Sequence, residues 1–189
     1  MSNFKDFYHY KGAELTPSEK VERKVIEILL NSQLPDSQRE SSIVWEIKHS
    51  SGCVQIARVL AQKRNLDADI AATASLLHDI YVIVEGKYKD HAKLGAPIAE
   101  KILREIGGFS DGEIKTITDA VAHHSEKEVY TDNPYIEIVK DVDVFDCSFY
   151  KNAEGYYRLH KSGEIVREYE NRIKKVREEF NLPPDPIFR

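Results

Sequence analysis

The chain has 189 residues, 41% hydrophobic and 31% charged, with a formal net charge of −5. That length and apolar content suit one globular domain with a full core, and the acidic balance argues against a nucleic-acid polymer, whose binding needs a basic face. The N-terminus has no apolar h-region and no stretch approaches the roughly 20 apolar residues of a membrane span, so a soluble cytoplasmic protein with a small substrate is expected.

Residues 1–15, with Tyr8, Tyr10 and Gly12, show no clear period and are expected to form an arm on the body. Thr16-Pro17-Ser18-Glu19 supplies an N-cap, a first-position proline and a capping-box glutamate ahead of Val21, Val25, Ile26, Leu29 and Leu30 on one helical face. After the polar stretch 33–42, a second helix is predicted from Ile43 through Ala61, with His49, Cys53, Ile56 and Leu60 on its inner side. An alanine-rich helix over 66–77 opens on Asp67 and is closed by His78-Asp79. Residues 80–89 read as a loop, and Asp90 as the cap of a helix that turns Leu94, Ile98, Ile102 and Leu103 inward until Gly107-Gly108 stop it.

Ser110-Asp111-Gly112-Glu113 is another capping box, opening a helix with Ile114, Ile117, Ala120, Val121 and His124 at helical spacing and His123-His124 in its last turn. Asn133-Pro134 starts a helix to about Phe149, whose face of Ile136, Val139 and Val142 also carries Asp143. A connection over 150–162 leads to a last amphipathic helix with Ile165, Tyr169, Ile173, Val176 and Phe180. Cys53 and Cys147 form no CxxC pair and read as buried thiols. With no repeat and no β-alternation, the expectation is an all-α, single-domain helical bundle.

His49, His78, Asp79, His91, His123, His124 and Asp143 fall at the ends or inner faces of successive predicted helices, as in bundles that build a metal cage in their core. Imidazole and carboxylate without cysteine suit iron, manganese, cobalt or zinc. An aspartate among apolar neighbours, as Asp143 is, demands a cation or hydrogen-bond donors. Adjacent residues cannot share one face of a regular helix, so His78 and Asp79 converge best at a helix end, where the two oxygens of Asp79 suit it to bridge two ions. His9 and His160 lack such company and read as hydrogen-bonded packing residues.

The order His49, then His78-Asp79 within Leu76-Leu77-His78-Asp79-Ile80, then Asp143 within Val139-Lys140-Asp141-Val142-Asp143-Val144-Phe145-Asp146, resembles the HD-domain superfamily of metal-dependent phosphohydrolases over about residues 43–150. On that resemblance, residues 1–42 are an N-terminal arm and helix and residues 151–189 a C-terminal connection and helix. The resemblance implies one or two divalent transition metals. His49, His78, Asp79 and Asp143 would hold the first, and His91, His123 and His124 would supply the second, with Asp79 bridging. Asp79 and His91 are the expected catalytic residues, and Asp141 and Asp146 are expected to be surface or supporting groups. Tyr81, and Ser125-Glu126-Lys127 where a GYP signature would stand, set the chain apart from the signalling phosphodiesterases.

The implied function is hydrolysis of a nucleotide or another small phosphate mono- or diester by a metal-activated water. An HD-type di-iron oxygenase is the alternative, followed by a metal-stabilised, non-catalytic binding module. Lys87, Lys89 and Lys93 are candidate phosphate contacts. In the segment from Tyr150 to Arg158, the aromatics would stack on a base and Arg158 would pair with phosphate, or the aromatics would simply plug the last helix. The amphipathic terminal helices leave room for a homodimer.

Overall fold

Residues 14–189 are described by a computed structural model and contain helices α1 (Pro17–Leu30), α2 (Ile43–Lys63), α3 (Ala68–Leu77), α4 (Ile80–Glu85), α5 (His91–Ile106), α6 (Asp111–His123), α7 (Pro134–Cys147), α8 (Ala153–His160) and α9 (Gly163–Glu179). No strand occurs among the described residues, and the fold is all-α. The predicted features at Tyr8, His9, Tyr10 and Gly12 lie outside the described residues. No described helix is long and apolar enough to cross a membrane.

The helix starts follow local chemistry. Thr16 and Ser110 each form a complete capping box, with Glu19 and Glu113, and Asp67 and Asn133 each accept two backbone N–H groups of the turn that follows. These side chains satisfy donors that a helix leaves without intrahelical partners.

Two segments depart from expectation. Residues 80–89 are not a plain loop, because Ile80–Glu85 form the short helix α4, which ends at Gly86 with φ of 68°. Arg39, from the polar stretch before α2, caps it by donating to the carbonyls of Val82 at 3.3 Å and Ile83 at 3.1 Å. Six residues are too few to display a helical period, and the capping group comes from a distant segment. The connection 150–162 likewise contains α8, an eight-residue helix in which Tyr157 alone is buried.

α3 lies in the centre, packed against α2, α6 and α7. Every residue from Ile70 to Leu77 is buried, and Ala71, Ala72 and Ala74 let neighbouring helices approach closely. α7 rests on α2 on one side and α9 on the other. On the α9 side Arg172 donates to Glu137 at 2.9 Å and to Asp141 at 2.7 Å, while Arg64 and Lys175 also reach Asp141. Asp141 is therefore a fully buried ion-pair centre and not a surface group.

On the α2 side a glycine sets the spacing. A Cβ on Gly52 would stand 2.0 Å from Asp146 Oδ1, so the absence of a side chain there is what admits the Asp146 carboxylate.

Candidate metal centre

Helix ends and two helix interiors bring six of the sequence-predicted residues together. His49 projects from the middle of α2, His78 closes α3, Asp79 precedes α4, His91 opens α5, His124 closes α6 and Asp143 projects from α7. Around one oxygen of Asp79, Oδ2, lie His78 Nε2 at 3.2 Å and His49 Nε2 at 3.9 Å. Asp143 Oδ1 completes this group, 3.4 Å from His49 Nε2 and 4.0 Å from His78 Nε2. Around the other oxygen, Oδ1, lie His91 Nε2 at 3.2 Å and His124 Nε2 at 3.5 Å. Asp79 thus divides the donors into two groups and belongs to both.

The outer nitrogens of the rings are all occupied. His78 Nδ1 donates to the Ser75 carbonyl at 2.6 Å, His91 Nδ1 to Tyr88 at 2.7 Å, and His124 Nδ1 to Val121 at 2.8 Å. His49 Nδ1 meets the Asp146 carboxylate at 2.6 Å. Carbonyl and carboxylate oxygens only accept, so each Nδ1 carries a proton, and a ring without a second proton turns an Nε2 lone pair inward. The inward Nε2 atoms meet at 3.2 Å between His49 and His78 and at 2.9 Å between His91 and His124. Four such nitrogens and two carboxylates, once inward protons are displaced, fit divalent metal ions.

Burial works to lower His49 and His91. At His49 it is outweighed by Cys53, Cys147, Asp143 and Asp146, which hold that ring well above the usual imidazole range, and Asp79 raises His91. A metal would therefore displace protons from these two rings. Burial works to raise the Asp79 carboxyl, but His78, His124 and His91 outweigh it and hold it well below the usual carboxylate range. At Asp143 burial is outweighed by Lys127 and His49 in the same sense. Burial pushes His124 down to about 4, which keeps the ring neutral at pH 7. Cys53 and Cys147 lie beside the centre, yet burial drives the Cys53 thiol up to about 12 and the Cys147 thiol upward as well, so neither offers a thiolate.

Three supporting residues carry weight that the sequence did not assign with direction. Asp146 orients His49, and its place one helical turn after Asp143 is a legible signal for a shared face. Lys127 is 2% exposed and donates to both Asp143 Oδ2 and the His124 carbonyl, which leaves Asp143 Oδ1 facing His49. Glu46, one turn before His49, is fully buried. Its Oε1 accepts from Ser41 and Tyr88, and its Oε2 finds no partner among the described residues.

Other predicted site residues stand elsewhere. His123 does not join the cluster, because consecutive helical residues diverge by about 100°, and its exposed ring pairs with Glu126 at 3.0 Å. Lys87, Lys89 and Lys93 are exposed and do not line the cavity of about 650 Å³ that opens over the centre. Arg158 does not line it either, since its guanidinium is held by Glu154 at 2.9 Å and Glu170 at 2.8 Å. The lysines on the cavity wall are Lys151 and Lys161.

Among the known proteins similar to this chain are the Ribonuclease Y of three organisms. That of Thermus thermophilus is 32% identical over 83 residues, 43% of this chain and 13% of the relative. That of Mycoplasmoides gallisepticum is 30% identical over 141 residues, 66% of this chain and 21% of the relative. That of Chloroflexus aurantiacus is 32% identical over 97 residues, 50% of this chain and 17% of the relative. The chain thus spans roughly a fifth or less of the length of these relatives. No solved structure gives a significant match. The HD domain profile matches residues 47–148, a stretch that contains all six converging donors. With more than half its length matched and those donors in that order, the chain belongs to the HD domain family.

Proposed function

We propose that this protein is a metal-dependent phosphohydrolase acting on a nucleotide or another small phosphate ester. In this reading His49, His78, Asp79 and Asp143 hold one divalent ion, and Asp79, His91 and His124 hold a second. The observation that carries it is the pair of donor groups, all imidazole nitrogens and carboxylates, that share Asp79 through its two oxygens. Their nitrogen and oxygen chemistry suits manganese, iron, cobalt or zinc. Such ions, when bound, supply Lewis acidity toward a phosphoryl group and lower the pKa of water to near neutrality.

The chain's own residues do the rest. Asp79 spaces the two ion positions, Asp146 fixes the ring of His49, and Lys127 turns Asp143 inward. His91 is partly exposed and lines the cavity, so it stands at the border between substrate and centre. The Ribonuclease Y relatives are named for RNA, but the cavity and the net charge of −5 favour a small substrate here. Two free thiols among the described residues are in keeping with the cytoplasm.

The test is metal content per chain on protein prepared without chelator, paired with phosphate release after Mn²⁺ or Fe²⁺ loading. About two ions with phosphate release is the expected result, and His78→Ala should abolish phosphate release and lower the metal content to one ion or none. One ion would remove His91 and His124 from the ligand set. Two irons that drive oxygen consumption without phosphate release would replace the hydrolase by the oxygenase. Bound metal with neither activity would leave a binding module.

A further inference from the structure

The cavity continues past the metal centre to a wall that the hydrolytic site leaves unused. Trp45 joins the two ends: its ring lies parallel to His49 at 5.4 Å and edge-on to Tyr150 at 4.6 Å. Beyond it stand Tyr156 and Tyr157 of α8. Tyr157 is packed edge-on against Tyr169 of α9 at 4.8 Å, which explains its burial. Tyr156 is different, since one face of its ring stacks on His160 at 4.2 Å while the residue lines the cavity and is 57% exposed. The aromatic plug expected from the sequence therefore accounts for Tyr157, and Tyr150 and Tyr156 are left bordering the open space.

Polar groups on the same wall narrow the class of ligand. Lys151 and Lys161 have no carboxylate partner among the described residues, and Lys161 Nζ lies 5.8 Å from the Tyr169 ring. Asn152, held at φ of 70° where α8 begins, adds an amide that both donates and accepts. A purely apolar ligand would make no use of these groups. A polymer would need a cationic track, and the wall also carries Glu40. Flat rings beside exposed cations match an aromatic heterocycle linked to phosphate.

We propose that this wall is a nucleobase subsite and that the substrate is a mononucleotide, its phosphate at the metal centre and its base against Tyr150 and Tyr156. The proposal rests on the phosphohydrolase reading for the phosphate end. The cavity of about 650 Å³ falls within the range of pockets that enclose small molecules.

Trp45 is the chain's single tryptophan, so its emission reports on the cavity without reference to turnover. The experiment uses the full chain with two probes, adenosine 5′-monophosphate and glycerol 2-phosphate. It measures tryptophan quenching in metal-free protein and kcat/KM after Mn²⁺ loading. The expected result is saturable quenching by the nucleotide alone and a kcat/KM at least about 10-fold higher for it, on the scale of stacking one base. Tyr156→Ala should remove most of that ratio, and Tyr156→Phe should restore it.

Equal kcat/KM for both probes, with no quenching, would overturn the subsite and leave the hydrolase intact. If neither probe is hydrolysed by the metal-loaded protein, the phosphohydrolase reading fails. Quenching then decides the subsite alone: saturation by the nucleotide supports it and its absence overturns it. A short oligoribonucleotide cleaved in preference to the mononucleotide would overturn the mononucleotide in favour of RNA.

Discussion

α7 carries aspartates that are satisfied in two different ways on its two sides. Toward α9, Asp141 is bound by Arg172 at 2.7 Å, Arg64 at 2.7 Å and Lys175 at 3.0 Å, so its charge is balanced by the protein's own cations. Toward α2, Asp143 has one cation of the protein's own, Lys127, and for the rest Asp143 and Asp146 meet the His49 ring, beyond which further imidazole nitrogens gather. Asp143 lies two positions after Asp141, a rotation of about 200° that places them on opposite faces. The difference teaches how to tell a structural charge cluster from a functional one. Both are buried, but only the second has a donor inventory that calls for cations from outside the chain.

The comparison can be broken from either side. The largest effect is expected on the closed side, where Arg172→Met strips a fully buried cation from Glu137 and Asp141. Removing one partner of such a pair costs about 3–5 kcal/mol of stability. Metal stoichiometry of the folded variant should be unchanged, as checked by denaturant unfolding beside metal analysis. Loss of metal with unaltered stability would reverse the assignment of the two clusters.

Gly52→Ala acts on the open side. Its Cβ would collide with Asp146 and free His49 from its orienting partner. The expected result is a metal affinity lower by about 10–100-fold, the usual cost of losing such an outer partner, with a smaller change in unfolding free energy. Titration calorimetry with Mn²⁺ or Zn²⁺ measures it, and wild-type affinity would show that Asp146 does not orient His49.

The smallest effect concerns Glu46. Burial first, and the nearby Asp79 second, raise its carboxyl from the usual 4.5 to about 7. Because the folded value lies above the unfolded one, this group's stabilisation is complete below pH about 4.5 and is lost as pH rises through 7. In metal-free protein Glu46→Gln should therefore raise Tm by roughly a few degrees at pH 8 relative to wild type, and by less as the pH approaches 4.5. A Tm difference that does not change with pH would show that Glu46 is not a buried neutral carboxyl.

Much of the fold was legible because its signals are local. Thr16, Asp67, Ser110 and Asn133 cap the helices they were expected to cap, since a cap bonds within a few residues of itself. α4 was missed because Arg39, which caps it, comes from far away in sequence. The pairing of Arg158 with Glu154 is an i,i+4 contact that becomes readable once α8 is known to be a helix. The choice between His123 and His124 was readable from period alone, because His124 continues the buried face of Ile114, Ile117 and Val121 while His123 points about 100° away from it.

By itself the sequence determined the helix starts, the apolar faces and the inventory of imidazoles and carboxylates, because these follow from backbone capping, periodicity and residue chemistry. Tertiary structure alone decided which atoms meet. Asp79 serves two groups because the chain turns between α3 and α4, and Asp146 reaches His49 because Gly52 leaves room for it. Lys127 holds Asp143 because α7 passes the loop after α6. Those relations depend on distances between elements remote in sequence, and such distances are set by packing.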